Sequence, residues 1–121
     1  MNLVKLFSSF KRAFSGISKA FKEEQNFQIQ FFFGLIVVIV SLLLRVRLLH
    51  FVILFFAISL MLILELINTA IERIVDIIHP RVHQYAAMIK DMMAAAVLLS
   101  AMVCCIIVVV VLYPYILNFF D

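Results

Sequence analysis

Phe51-Val-Ile-Leu-Phe-Phe-Ala-Ile-Ser-Leu-Met-Leu-Ile-Leu64 carries no charge and runs straight into Glu65-Leu-Ile-Asn68-Thr-Ala-Ile-Glu72-Arg-Ile-Val-Asp76, with neither glycine nor proline between them. The apolar half suits a bilayer, and the helical pattern continues unbroken until Pro80. Glu65, Asn68, Glu72 and Asp76 are spaced by three, four and four residues. At ~100° per residue they fall within about 80° of one another, so they form one stripe on one helix. At ~1.5 Å per residue, Glu65 lies about 22 Å along a helix that enters near His50, just inside the far boundary of a ~30 Å hydrocarbon core. An intramembrane carboxylate is a functional hypothesis by default, because burying its charge is costly. A divalent cation, basic partners or protonation can offset that cost. The plain alternative is a solvated helix extension balanced by Arg73 and nearby lysines.

The composition of the whole chain agrees with a bilayer as the solvent. Of 121 residues, 67% are hydrophobic and 14% charged, against about 25% charged in ordinary soluble domains. One domain, 1–121, is expected. The net charge of +3 is too small to suggest a nucleic-acid partner. Cys104 and Cys105 are adjacent, which disfavours a disulfide between them, and no Cys/His spacing suits zinc. Residues 1–22 lack the continuous apolar core of a secretory signal, so the first span is expected to act as its own insertion signal.

The expected fold is an all-α membrane protein with an N-terminal amphipathic surface helix and three transmembrane helices. In residues 3–22, Leu3, Phe7, Phe10, Phe14, Ile17 and Phe21 make one apolar stripe, with Lys5, Lys11, Arg12, Lys19 and Lys22 mostly off it. Such a helix lies in the headgroup layer, unless it merely packs on the protein. Glu23 to Asn26 form a polar hinge. Spans are expected over about 27–44, 50–78 with a cytoplasmic extension, and 92–113, where Pro114 closes the last. Arg45-Val-Arg47 makes a short turn, and residues 79–89 a polar connection. The N-terminal segment has five basic residues and the second connection adds Arg73, Arg81 and Lys90, against Arg45 and Arg47 on the other side. Eight against two puts the N-terminus in the cytoplasm and the C-terminus outside.

Lys90 and Asp91 open the third span on the side where the acidic stripe emerges, and Glu24 sits at the same level. Taken singly, Lys90 snorkels and Asp91 meets a helix N-terminus. Opposite a carboxylate column, the pair suits a phosphate beside a metal. Carboxylates for magnesium, a lysine for phosphate and a carboxylate near the headgroup plane are what phosphoryl transfer needs. With two glycines in the chain, a glycine-rich phosphate cradle is excluded.

The run from Glu65 to Asp76 closely resembles the signature of the prokaryotic diacylglycerol kinase / undecaprenol kinase family. Lys90-Asp91 followed by Ala94-Ala95-Ala96-Val97 resembles its second block, and Gly16 and the Glu24…Phe27 pair also fit. The likeness covers roughly residues 5 to 115. It implies an ATP- and Mg2+-dependent lipid kinase of the bacterial inner membrane, a homotrimer with active sites shared between subunits. On that resemblance Glu65 is the general base on the lipid hydroxyl, with Phe27 beside the lipid. Glu24 and Glu72 bind magnesium, Asn68 orients the site, and Lys90 contacts the transferred phosphate. Lys5, Arg12, Asp76, His83 and Asp91 complete the nucleotide region. Three positions depart from the pattern. Arg81 stands where many members are acidic, Met93 replaces a small residue, and Gln30 replaces an acidic residue found in some members. The wording of the signature is nearer to the undecaprenol kinases of Gram-positive bacteria than to the Gram-negative diacylglycerol kinases, and the absence of tryptophan points the same way. Diacylglycerol is the alternative acceptor. Two other classes compete: a non-catalytic membrane assembly protein, and an ion-conducting oligomer, which the unbroken apolar run 51–64 disfavours.

Overall fold

The computed structural model describes residues 1–78 and 83–121, with the side chain of His83 also outside that description. Four helices, and no strand, form among the described residues: α1 Leu3–Glu23, α2 Gln25–Leu43, α3 Leu48–Ile78 and α4 His83–Phe120. The last three are long and apolar enough to cross a membrane. α3 is the central element, packed against each of the others and most extensively against α4. The core between α2, α3 and α4 is built from Val37, Leu54, Ala57, Ile58, Met61, Cys104 and Leu112. Gly34 sets the distance between α2 and α3, because a Cβ there would meet Ile58 Cγ2 at 2.6 Å. A small residue at that point lets the two backbones approach, which is how helices gain packing in lipid.

The ends of the helices follow from local chemistry. Asn2 caps α1, its Oδ1 accepting from the backbone of Val4 and Lys5 at 3.0 and 3.3 Å. Ala20 is buried, while Leu3, Phe7, Phe10 and Phe14 are left uncovered by the rest of the chain. The expected polar hinge narrows to a single residue, Glu24, whose extended backbone separates α1 from α2. α2 ends in paired reverse bonds: Val46 N donates to Ser41 O at 3.1 Å and Arg45 N to Leu42 O at 3.2 Å. This closure needs a left-handed residue just past the helix, and Arg45 supplies it with φ 53°.

Two boundaries differ from the sequence expectation. α4 begins at His83 and not near Met92, so most of the expected polar connection is helical. Asp91 therefore sits in the third turn, too far in for the macrodipole of the first turn to explain it. α4 also continues through Pro114 to Phe120. The proline removes one backbone donor, a defect that buried helices tolerate when neighbours hold the chain. Tyr115 provides such a hold. Its hydroxyl accepts from Arg47 N at 3.2 Å and pairs with His50 Nδ1 at 2.6 Å, tying α4 to the start of α3. The remaining part of the connection, with Arg81, lies outside the described residues.

Candidate functional site

At ~1.5 Å per residue, the 31 residues of α3 span about 46 Å, more than a ~30 Å hydrocarbon core. One end must project, and the polar column occupies the C-terminal end. Burial falls along it. Glu65 is 1% exposed and Asn68 7%, Glu72 is half-buried and Asp76 exposed. The column thus runs from a dry interior to a wet rim on one helix face.

Neighbouring side chains hold it from three sides. Asn68 Nδ2 donates to Glu72 Oε1 at 3.3 Å, and the same amide lies close to the Glu65 carboxylate. From α2, Gln30 Nε2 donates to Glu65 Oε2 at 3.5 Å. Glu72 and Glu24 both lie close enough to repel the Glu65 carboxylate. At the rim, Lys90 of α4 pairs with Asp76 of α3 at 2.5 Å. Arg73 reaches Glu23 at 2.7 Å and Glu24 at 3.3 Å, pinning the α1–α2 junction to α3. These rim pairs are largely solvated, so they are weak and exchangeable.

The amide groups are only half used. Both Gln30 and Asn68 spend their NH2 on carboxylates, and Gln30 Oε1 and Asn68 Oδ1 are buried without a partner. A buried orphan acceptor costs about 1–3 kcal/mol, so each of these oxygens stands to gain from a donor. Among the described residues, no three His, Cys, Asp or Glu side chains converge as a ready-made metal cage. Magnesium does not require one. It takes one or two carboxylates and fills the rest with water and phosphate oxygens. Glu24 and Glu72 offer oxygens of the kind such an ion takes.

Of the residues singled out in the sequence, Glu65, Asn68, Glu72, Asp76, Lys90 and Glu24 gather at this end of the molecule. Lys5 and Arg12 do not. Both are exposed on α1, about 27 and 16 Å along the helix from Glu23 at ~1.5 Å per residue, and Arg12 bonds Ser8 and Ser9. Asp91 is exposed on α4. Phe27 is 3% exposed and lines a cavity beneath α1 with Phe14, Phe21 and Phe31. The His83 side chain lies outside the described residues. Sequence reasoning treated Gln30 as a departure and missed its contact with Glu65. The available signal was a polar side chain inside a span, which normally has an inward partner. An open apolar groove of about 680 Å3 between α3 and α4 extends from Leu64 through Leu60, Met61, Leu99 and Val103 to Ile107. Glu65 does not line this groove, whose end at Leu64 is the residue before it in sequence.

A helical membrane protein with buried carboxylate and amide groups meeting a basic rim is a narrow class. The family model for prokaryotic diacylglycerol kinase matches residues 11–112, and the chain belongs to that family. It is similar to a diacylglycerol kinase of Synechocystis sp., 37% identical over 90 residues, which are 74% of this chain and 51% of that protein. It is similar to an undecaprenol kinase of Bacillus subtilis, 37% identical over 92 residues, 76% of this chain and 75% of that one. The chain thus spans about half the length of the first relative and three quarters of the second.

Proposed function

We propose that this chain is a single-domain lipid kinase that transfers the γ-phosphoryl group of ATP to the hydroxyl of a membrane lipid alcohol, with undecaprenol as the acceptor. The observation that carries this reading is Glu65. It is a carboxylate 1% exposed, set on the membrane-spanning part of α3 below Asn68 and Glu72. A group so placed meets a hydroxyl that arrives from the lipid side, while the column above it meets a nucleotide that arrives from water.

In this reading Glu65 takes the proton of the lipid hydroxyl as its oxygen bonds to the γ-phosphorus. The bond to the β–γ bridging oxygen breaks and ADP leaves with that electron pair. Glu24 and Glu72 would hold magnesium, whose charge would neutralise the phosphate oxygens. Arg73 and Lys90 release Glu24 and Asp76 as the nucleotide enters. Because those solvated pairs are weak, the exchange costs little. Asn68 keeps Glu65 and Glu72 in register. Asp76, Asp91 and His83 flank the nucleotide, Phe27 borders the lipid, and the α3–α4 groove takes part of its chain.

Lys5 and Arg12 are exposed on α1, and the bonds of Arg12 go to Ser8 and Ser9, not to the acidic column. Their assignment to the nucleotide, together with the broad uncovered apolar surface, supports a homotrimer with sites shared between subunits. The distribution of basic residues supports a site on the cytoplasmic side, in the bacterial inner membrane that the family resemblance implies, with α1 on the membrane surface as an amphipathic helix. Diacylglycerol is the second reading, since the chain is 37% identical to each of the two named relatives. Purified protein with radiolabelled ATP, Mg2+ and separate lots of undecaprenol and diacylglycerol is expected to yield labelled undecaprenyl phosphate. Glu65→Gln and Glu72→Gln should each lower turnover by about 10²-fold or more. Full activity in both variants would refute the mechanism.

A further inference from the structure

Gln30 stands on α2, where the span is otherwise almost wholly apolar, and faces α3. Its amide nitrogen lies 3.5 Å from Glu65 Oε2, and its amide oxygen is buried with no partner. It joins Glu65 to a second helix, whereas Asn68 shares α3 with the carboxylate. We infer that Gln30 is a positioning residue that holds Glu65 through both of its protonation states during phosphoryl transfer.

The reason lies in the chemistry of a carboxamide. An ionised carboxylate needs a donor, and the Gln30 NH2 group provides one. Once Glu65 has taken the hydroxyl proton it needs an acceptor, and rotation of the amide presents the idle Oε1 to the new O–H. The exchange needs only the terminal torsion of one side chain, and the proton on Glu65 is still free to leave afterwards. The orphan oxygen is thus the second half of a two-state partner. A methionine of similar length fills the space and supports neither state. A glutamate there serves both states only when it shares a proton with Glu65. Gly34 lies one turn further along α2 and brings the helix close to α3, which keeps the amide within reach.

The inference rests on Glu65 acting as the base, and the test separates the two ideas. Steady-state rates are measured for wild type, Gln30→Met, Gln30→Glu, Glu65→Gln and the Gln30→Met/Glu65→Gln pair, varying MgATP and the lipid alcohol separately. Loss of positioning by about 1 Å can cost on the order of 10²-fold in rate. Gln30→Met is therefore expected to lose about ten-fold or more in kcat, with KM for ATP within about two-fold of wild type. Gln30→Glu should recover part of that loss, and Gln30→Met should have no further effect in the Glu65→Gln background. A merely structural role would lower both single variants alike and add to Glu65→Gln. Wild-type kcat in Gln30→Met, or full additivity in the pair, overturns the role of Gln30 and leaves the base intact. An active Glu65→Gln overturns both.

Discussion

Replacing Gly34 by alanine tests the packing that positions the site. The added Cβ would stand 2.6 Å from Ile58 Cγ2, where carbon atoms prefer about 3.5–4.0 Å. Roughly 1 Å of movement must come from somewhere. Ile58 is 6% exposed, and its Cγ2 is fixed to a branched Cβ that turns only by changing χ1. The backbones of α2 and α3 must therefore separate. Overpacking of this kind costs about 1–3 kcal/mol. Alanine offsets about 1 kcal/mol of it through better helix propensity. The expected balance is a loss of about 1 kcal/mol in unfolding free energy, measured by titrating the detergent-solubilised protein with SDS and following helicity and tertiary signal together. Ile58→Ala alone should cost about 2–5 kcal/mol through the cavity it leaves. Combined with Gly34→Ala it should cost less than the sum, since the new methyl enters that cavity and the clash is gone. The same separation carries Gln30 away from Glu65, so Gly34→Ala should also lower the lipid phosphorylation rate. If Gly34→Ala instead gains the full ~1 kcal/mol of its propensity advantage, α2 and α3 do not approach as closely as the Gly34–Ile58 contact requires.

Other changes read different parts of the molecule. Arg45 holds a positive φ at the end of α2, a conformation that costs a side-chain-bearing residue about 1–2 kcal/mol. Arg45→Gly should stabilise the protein by about 0.5 kcal/mol after the extra freedom of glycine in the unfolded chain is counted, and a lower stability in the same SDS titration would contradict the turn geometry. Lys90→Met removes the cation that meets Asp76 at 2.5 Å. It is expected to raise the KM for ATP with a smaller effect on the KM for the lipid, and an unchanged ATP dependence would remove Lys90 from the phosphate site.

The spans, their number and the acidic stripe were legible in the sequence because they depend on local periodicity and on the mismatch between apolar composition and water. An uncharged run from Phe51 to Leu64 that feeds Glu65, Asn68, Glu72 and Asp76 at helical spacing leaves few alternatives to a membrane helix with a functional end. Helix termini were less legible. Proline marks a stop in an isolated helix, but Tyr115 reaches Arg47 and His50 across the fold, and α4 runs on through Pro114. Likewise Arg45 stands where a glycine would announce the turn, so its left-handed backbone has no sequence signature.

The partners of the polar column belong to the tertiary structure alone. That Gln30 faces Glu65, that Arg73 grips Glu23 and Glu24, and that Lys90 meets Asp76 all depend on which faces of separate helices touch. Periodicity gives the angle of a residue about its own helix axis, whereas the rotation and spacing of one helix against another are set by contacts such as Gly34 against Ile58. Sequence therefore determined a membrane helix bearing a buried acid, and packing decided which groups surround that acid.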